Sequence, residues 1–196
     1  VPLPPRAIVF DLEFTAWEGS MLHRWMRPGE YREVVQIGAV AVDGTTFAET
    51  ATLDLLVKPR LNPVLSDYLE QLTGVTNAAL AERGMDYEDA YKAFVAFADG
   101  APILAFGRDD LVLRDNLRLY GLPEDPPLPP YVNAIPWLVA RGIDPRGRHA
   151  CHTAALCGAV FEGREHDAVE DSRSVALGIA TLLAKGAPNP LADIAA

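Results

Sequence analysis

The octapeptide AIVFDLEF at positions 7–14 constrains this chain more than any other segment. Its apolar residues predict a β-strand, and a strand sends alternate side chains to opposite faces. Asp11 and Glu13 therefore share one face, while Ile8, Phe10, Leu12 and Phe14 share the other. A strand that is apolar on both sides until its acids appear belongs in the middle of a sheet. Two neighbouring carboxylates at the end of a central strand repel one another and lose solvation. A divalent cation offsets both costs, and magnesium needs few protein oxygens because it keeps several waters.

The rest of the chain is read around that strand. Residues 15–33 are predicted as a loop, and residues 34–42 (VVQIGAVAV) as a second strand. Asp43-Gly44 signals a hairpin, and 45–57 return as a third strand. Ser66 caps a helix through about Gln71, and a helix over about 86–99 has one apolar face. A short buried strand at 102–106, a helix over about 110–120 and a strand at 131–135 follow. Helical segments near 136–141, 150–160 and 168–185 complete the pattern. Strands in a meander, then strands alternating with helices, give an α/β domain with a mixed sheet. Residues 1–186 are read as one domain despite the proline-rich stretch 122–130, and 187–196 as a flexible tail.

Two further segments carry acids. In GREHDAVED (163–171), Asp167 and Glu170 have capping-box spacing and so have a structural task. Asp171 does not; it lies on the apolar stripe of its helix with Val175, Gly178 and Leu182. His166 precedes the cap and is placed to act as a general base. In AFGRDDL (105–111), Asp109 and Asp110 open a helix just past a buried strand, where α/β sites gather. One of them can cap the helix and the other can face the site, and periodicity does not choose between them. Acids from three segments together with one imidazole suit phosphodiester hydrolysis assisted by two hard cations.

These residues resemble the DEDDh 3′–5′ exonucleases, the group of ribonuclease T and the proofreading subunit of bacterial DNA polymerase III. The likeness is greatest to the ERI-type and KapD-like branch. DLEFT at 11–15, FGRDDL at 106–111 and HDAVED at 166–171 are similar to its three motifs, in order. The resemblance implies a ribonuclease H-like fold, with a mixed five-stranded sheet of a three-strand antiparallel meander plus two further strands, flanked by helices. It implies metal ligands Asp11, Glu13, Asp110 and Asp171, choosing Asp110 over Asp109 by its distance from the glycine, with His166 as base. It implies two Mg2+ or Mn2+ ions and, as partner, the 3′ end of a single-stranded nucleic acid, RNA favoured, with release of nucleoside 5′-monophosphates. Phe14 and Thr15 are expected to flank the terminal nucleotide, with Leu72 and Thr73 wedged against its base. Arg108, Arg146 and Arg148 are candidates for phosphate contacts. A homodimer is compatible with the resemblance, and the alternative is a KapD-like regulatory or interaction protein that retains the fold.

Charge and cysteine content narrow the remaining classes. A net charge of −10 argues against a protein that coats duplex DNA. It leaves room for an enzyme that grips one end, where metal ions supply positive charge locally. No apolar run approaches the roughly 20 residues of a membrane span. No secretory signal is evident and the two cysteines make no disulfide framework, so a cytoplasmic setting is expected. His149, Cys151, His152 and Cys157 match no common structural zinc spacing. The opening strands argue against an all-helical HD phosphohydrolase.

Overall fold

The computed structural model describes residues 2–192. A five-stranded sheet runs in the order β3-β2-β1-β4-β5. The strands are β1 (Arg6–Phe14), β2 (Val34–Asp43), β3 (Glu49–Leu56), β4 (Ile103–Ala105) and β5 (Tyr131–Asn133). β1 is central, antiparallel to β2 and parallel to β4, as its two-sided apolar pattern requires. β2–β3 completes the antiparallel meander and β5 joins β4 in parallel. This is the expected ribonuclease H-like arrangement.

Helices cover both faces. On one, α4 (Tyr87–Ala98) and α5 (Asp109–Leu119) bury Tyr87, Tyr91, Phe94, Leu113 and Leu117 against Ile8, Phe10 and Leu12. On the other, α8 (Ala168–Ala184) sets Val175 and Ile179 against Ala7, Val9, Val40 and Val42. A third cluster joins α2 (Asp67–Thr73) and α3 (Asn77–Arg83) to Ala16 and Val35 beside the end of β1. The Ser66 hydroxyl caps α2 by accepting from the Leu69 amide (3.1 Å) and donates to the Ala16 carbonyl (2.6 Å). It thereby ties α2 to the chain leaving β1.

Several details depart from the sequence reading. The β2–β3 connection spans 44–48 because the Asp43 carboxylate folds it, accepting from the Thr45 and Thr46 amides and the Thr46 hydroxyl. The loop 15–33 contains a one-turn helix, α1 (Ser20–His23). α3, unanticipated, is capped by the Thr76 hydroxyl, which accepts from the Ala79 amide. The segment 150–160 forms only a 3-10 turn (Ala150–His152) and the short α7 (Thr153–Leu156), while α6 spans Ala134–Val139. The tail expectation is corrected for 187–192: Leu191 is fully buried, Asn189 donates to the Gly44 carbonyl, and Trp137 donates to that of Pro188. Residues 193–196 lie outside the described residues. No helix among those described is long and apolar enough to cross a membrane.

The seating of α8 on the sheet is set at Gly38. A Cβ there would lie 2.2 Å from the backbone of Ala168 and Val169. The start of α8 thus rests directly on the β2 backbone, and the Ser172 hydroxyl donates to the Gly38 carbonyl (3.0 Å). Gly38→Ala therefore lowers stability by about 2–3 kcal/mol through overpacking. Urea denaturation measures this, and an unchanged midpoint would contradict the close approach.

Candidate active site

Asp11 and Glu13 project from the end of β1 on the face covered by α8, opposite Gly38 and Gln36 of β2 in the ladder. The Gln36 side chain accepts from the Ala168 amide (3.2 Å), so β2 fixes both the acids and the mouth of α8. At that mouth Asp167 caps the helix, accepting from the Val169 and Glu170 amides. Glu170 pairs with Arg173 instead of closing a capping box. One turn further in, Asp171 is 3% exposed, and its Oδ1 has no hydrogen-bond partner among the described residues. His166 adopts a left-handed backbone (φ 59°) just before the cap. Its ring, Glu13 and Asp171 present ligand atoms that all lie within 4.8 Å of one another.

These groups face a cleft of about 380 Å³ together with Asp109. The glycine spacing points to Asp110, whereas in the structure it is Asp109 that lines the cleft. Asp110 is turned under α5, where Arg108 binds both its oxygens (2.8 and 3.0 Å) and Arg114 adds a third contact (3.0 Å). Burial raises the Asp110 carboxyl, but the Arg108 hydrogen bonds and the two guanidinium charges outweigh it and hold the group below its ordinary range. Such a satisfied carboxylate has little reason to bind anything else. Asp109 is the opposite case, raised to about 7 by burial and then by the Asp110 charge.

The other cleft acids share that condition. Burial pushes Asp11 well above its usual value, and Asp109, Glu13 and Asp171 push it further. Glu13 is raised to about 8 by burial, Asp171, Asp167 and Asp109. Asp171 is raised to about 7 by burial and Asp167, against a hydrogen bond from the His166 backbone. His166 is lowered by burial and by the neighbouring His149, whose ring lies 5.5 Å away, so its imidazole is neutral near pH 7.

Of the expected nucleotide contacts, Phe14 and Leu72 line the cleft, whereas Thr15 and Thr73 do not. The Thr15 hydroxyl donates to the Tyr31 carbonyl and accepts from the Glu33 amide, closing the base of the 15–33 loop. The Thr73 hydroxyl donates to the Leu69 carbonyl and accepts from the Val75 amide, ending α2. Arg148 reaches the cleft; Arg108 is engaged by Asp110, and Arg146 by Asp144. Trp17, Trp25, Tyr68 and His149 also line it and were not anticipated as site residues. The aromatic content of the 15–33 loop was the available signal. Cys151, His152 and Glu165 also gather ligand atoms within 4.8 Å. The His152 Nδ1 accepts from the His149 amide (3.0 Å), which puts the proton of the neutral ring on Nε2, facing Glu165. That ring has no free lone pair for a metal, and Cys157 is not in the group.

A family model described as "RNase_T: Exonuclease" matches residues 8–177. No curated protein matches the chain in sequence. Among solved structures, the nuclease domain of 3′hExo, described as a DEDDh family member bound to rAMP, superposes with a TM-score of 0.78 at 20% identity, covering 93% of this chain and 94% of that one. A 3′-exonuclease described in 3′-end specific recognition of a histone mRNA stem-loop gives 0.78 and 20%, covering 95% and 85%. Exonuclease I of E. coli in a complex with single-stranded DNA gives 0.68 and 15%, covering 94% of this chain and 41% of that longer one.

The raised carboxyls fix a pH dependence. In the folded, metal-free protein Glu13 keeps its proton up to about pH 8, whereas unfolded it loses it near 4.5. Folding therefore takes up protons in that window, and stability falls as pH rises through it. Thermal melts in EDTA are expected to show a lower Tm at about pH 8 than at about pH 5.5, and Glu13→Gln to flatten the slope. A Tm that rose with pH across this window would contradict the crowding of the acids.

Proposed function

The chain belongs to the RNase T exonuclease family, and from that premise we propose that it removes nucleotides from the 3′ end of a single-stranded nucleic acid, RNA favoured, releasing nucleoside 5′-monophosphates. The observation that carries the reading is the convergence of Asp11, Glu13, Asp109, Asp171 and His166 on one cleft. The 3′-exonuclease neighbours support the polarity, and the rAMP and mRNA stem-loop in their descriptions support RNA.

The residues fit divalent cations. Burial raises the pKa of all four carboxyls, Asp109 and Asp171 raise Asp11 and Glu13 further, and the buried Asp171 Oδ1 has no protein donor among the described residues. Asp11, Glu13, Asp109 and Asp171 would hold Mg2+ or Mn2+. When bound, a pair of such ions would neutralise the scissile phosphate and make water a better nucleophile. His166, neutral near pH 7, accepts the proton of the attacking water at a ring nitrogen. Phe14 and Leu72 give the terminal nucleoside an apolar seat, and the T-shaped contact of Phe14 with Trp25 (5.3 Å between ring centres) holds that seat in place. Arg148 at the rim is positioned to meet a phosphate.

The decisive experiment follows 5′-labelled RNA and DNA oligonucleotides, single- and double-stranded, with Mn2+ and with EDTA. Shortening from the 3′ end is expected with Mn2+ and none with EDTA. Asp109→Asn is expected to lower kcat/KM by about 100-fold or more, the scale of losing one electrostatic contact to the reacting group. Asp110→Asn is expected to cost less than about tenfold, since its carboxylate is engaged by Arg108 and Arg114 and does not line the cleft. The reverse ranking would restore Asp110 as the ligand. An inert wild type in Mn2+ would leave an interaction protein as the reading.

A further inference from the structure

The segment 20–28, SMLHRWMRP, contributes only some of its residues to the cleft. Met21, Leu22 and Met26 are 64%, 81% and 82% exposed, an unusual concentration of bare apolar side chains. The same nine residues carry His23, Arg24 and Arg27 and no acid, within a chain of net charge −10. The segment is also firmly held. Trp25 Nε1 donates to the Thr15 carbonyl (2.8 Å), and the Ser20 hydroxyl accepts from the Trp17 amide (2.8 Å) and donates to Glu30 (3.2 Å). Arg27 donates to the Glu18 carbonyl. Ser20, Met21 and Trp25 line the cleft itself, so this surface continues outward from the catalytic acids.

We infer that Leu22, Arg24 and Met26 form a binding surface for the part of a single-stranded polynucleotide that lies outside the cleft, upstream of its 3′-terminal nucleotide. The inference rests on the reading of the cleft as the seat of a 3′ end. Base faces stack on flat or polarizable apolar groups without regard to sequence, and cationic side chains beside them meet the backbone. Thioethers, an aliphatic side chain and guanidinium groups on one short, anchored loop provide both. A polyanion is favoured over an apolar protein partner because, with Arg27 paired to Glu30 (3.7 Å), the patch still presents Arg24 with no ion-pair partner among the described residues, on a nine-residue segment without an acid. The consequence is a preference for longer substrates, set by residues that never touch the scissile bond.

The test compares binding of a 5′-fluorescein single strand of about twelve nucleotides, by anisotropy in Ca2+, with binding of a nucleoside 5′-monophosphate by calorimetry. The triple variant Leu22→Ser, Arg24→Gln, Met26→Ser is expected to weaken the oligonucleotide about tenfold or more and the monophosphate less than about twofold. Arg24→Gln alone is expected to reduce the slope of log affinity against log salt by about 0.7. Val160→Ser, at a site 87% exposed and outside the cleft lining, is the control and should match wild type. Unchanged oligonucleotide affinity in the triple variant overturns the inference, as does equal weakening of both ligands or a wild type that binds the monophosphate but no oligonucleotide. Oligonucleotide binding that responds to the variant in a protein that hydrolyses nothing would sink the exonuclease reading and leave this surface standing.

Discussion

The close approach of α8 to the β2 backbone over Gly38 is the constraint on which the site depends. Asp11 and Glu13 lie on β1 and Asp171 on α8, far apart in the chain, so packing and not proximity in sequence sets their separation. What fixes it is a helix resting on a strand with no side chain between, held by the Ser172 hydroxyl and the Gln36 amide. A side chain at position 38 would lift the mouth of α8 and carry Asp171 and His166 away from β1. The packing that stabilises the fold is thus the same packing that concentrates its negative charge.

That concentration is a cost the protein carries. Four carboxyls meeting around a partly buried floor oppose folding whenever they are ionised: burial raises all four, and Asp109 and Asp171 raise Asp11 and Glu13 further. Elsewhere the acids are treated conventionally. Glu33, fully buried, accepts from the Arg60, Leu61 and Asn62 amides and the Tyr120 hydroxyl. Asp110 is enclosed by two arginines and Glu49 is paired with Arg173. The contrast between satisfied and unsatisfied carboxylates separates structural acids from site acids in this chain more cleanly than exposure does, since Asp110 and Asp171 are equally hidden.

Periodicity was enough to read the sheet and the long helices. Alternation in 7–14 put Asp11 and Glu13 on one face of a central strand, and helical spacing turned Asp171 inward; the structure agrees on both. The choice between Asp109 and Asp110 was not legible, because both lie in the first turn of α5 and either could point inward. Arg108 and Arg114 capture Asp110 from two directions and leave Asp109 lining the cleft, and such a contact depends on side-chain placement that no spacing encodes. Thr15 and Thr73 sat at positions expected to meet a nucleotide, yet their hydroxyls are engaged by local backbone groups. Short polar residues at the ends of elements are drawn to that use. The packed segment 187–192 was missed for a related reason: one buried leucine and an asparagine amide carry no periodic signal.

The Ser66 hydroxyl joins the two sides of the cleft, since it caps α2, which bears Tyr68 and Leu72, and also bonds the chain that runs from Phe14 to Trp17. Parting the jaws at this point forfeits both hydrogen bonds together and frays the helix that forms one of them. The mouth therefore behaves as a stiff aperture and not as an adaptable hand.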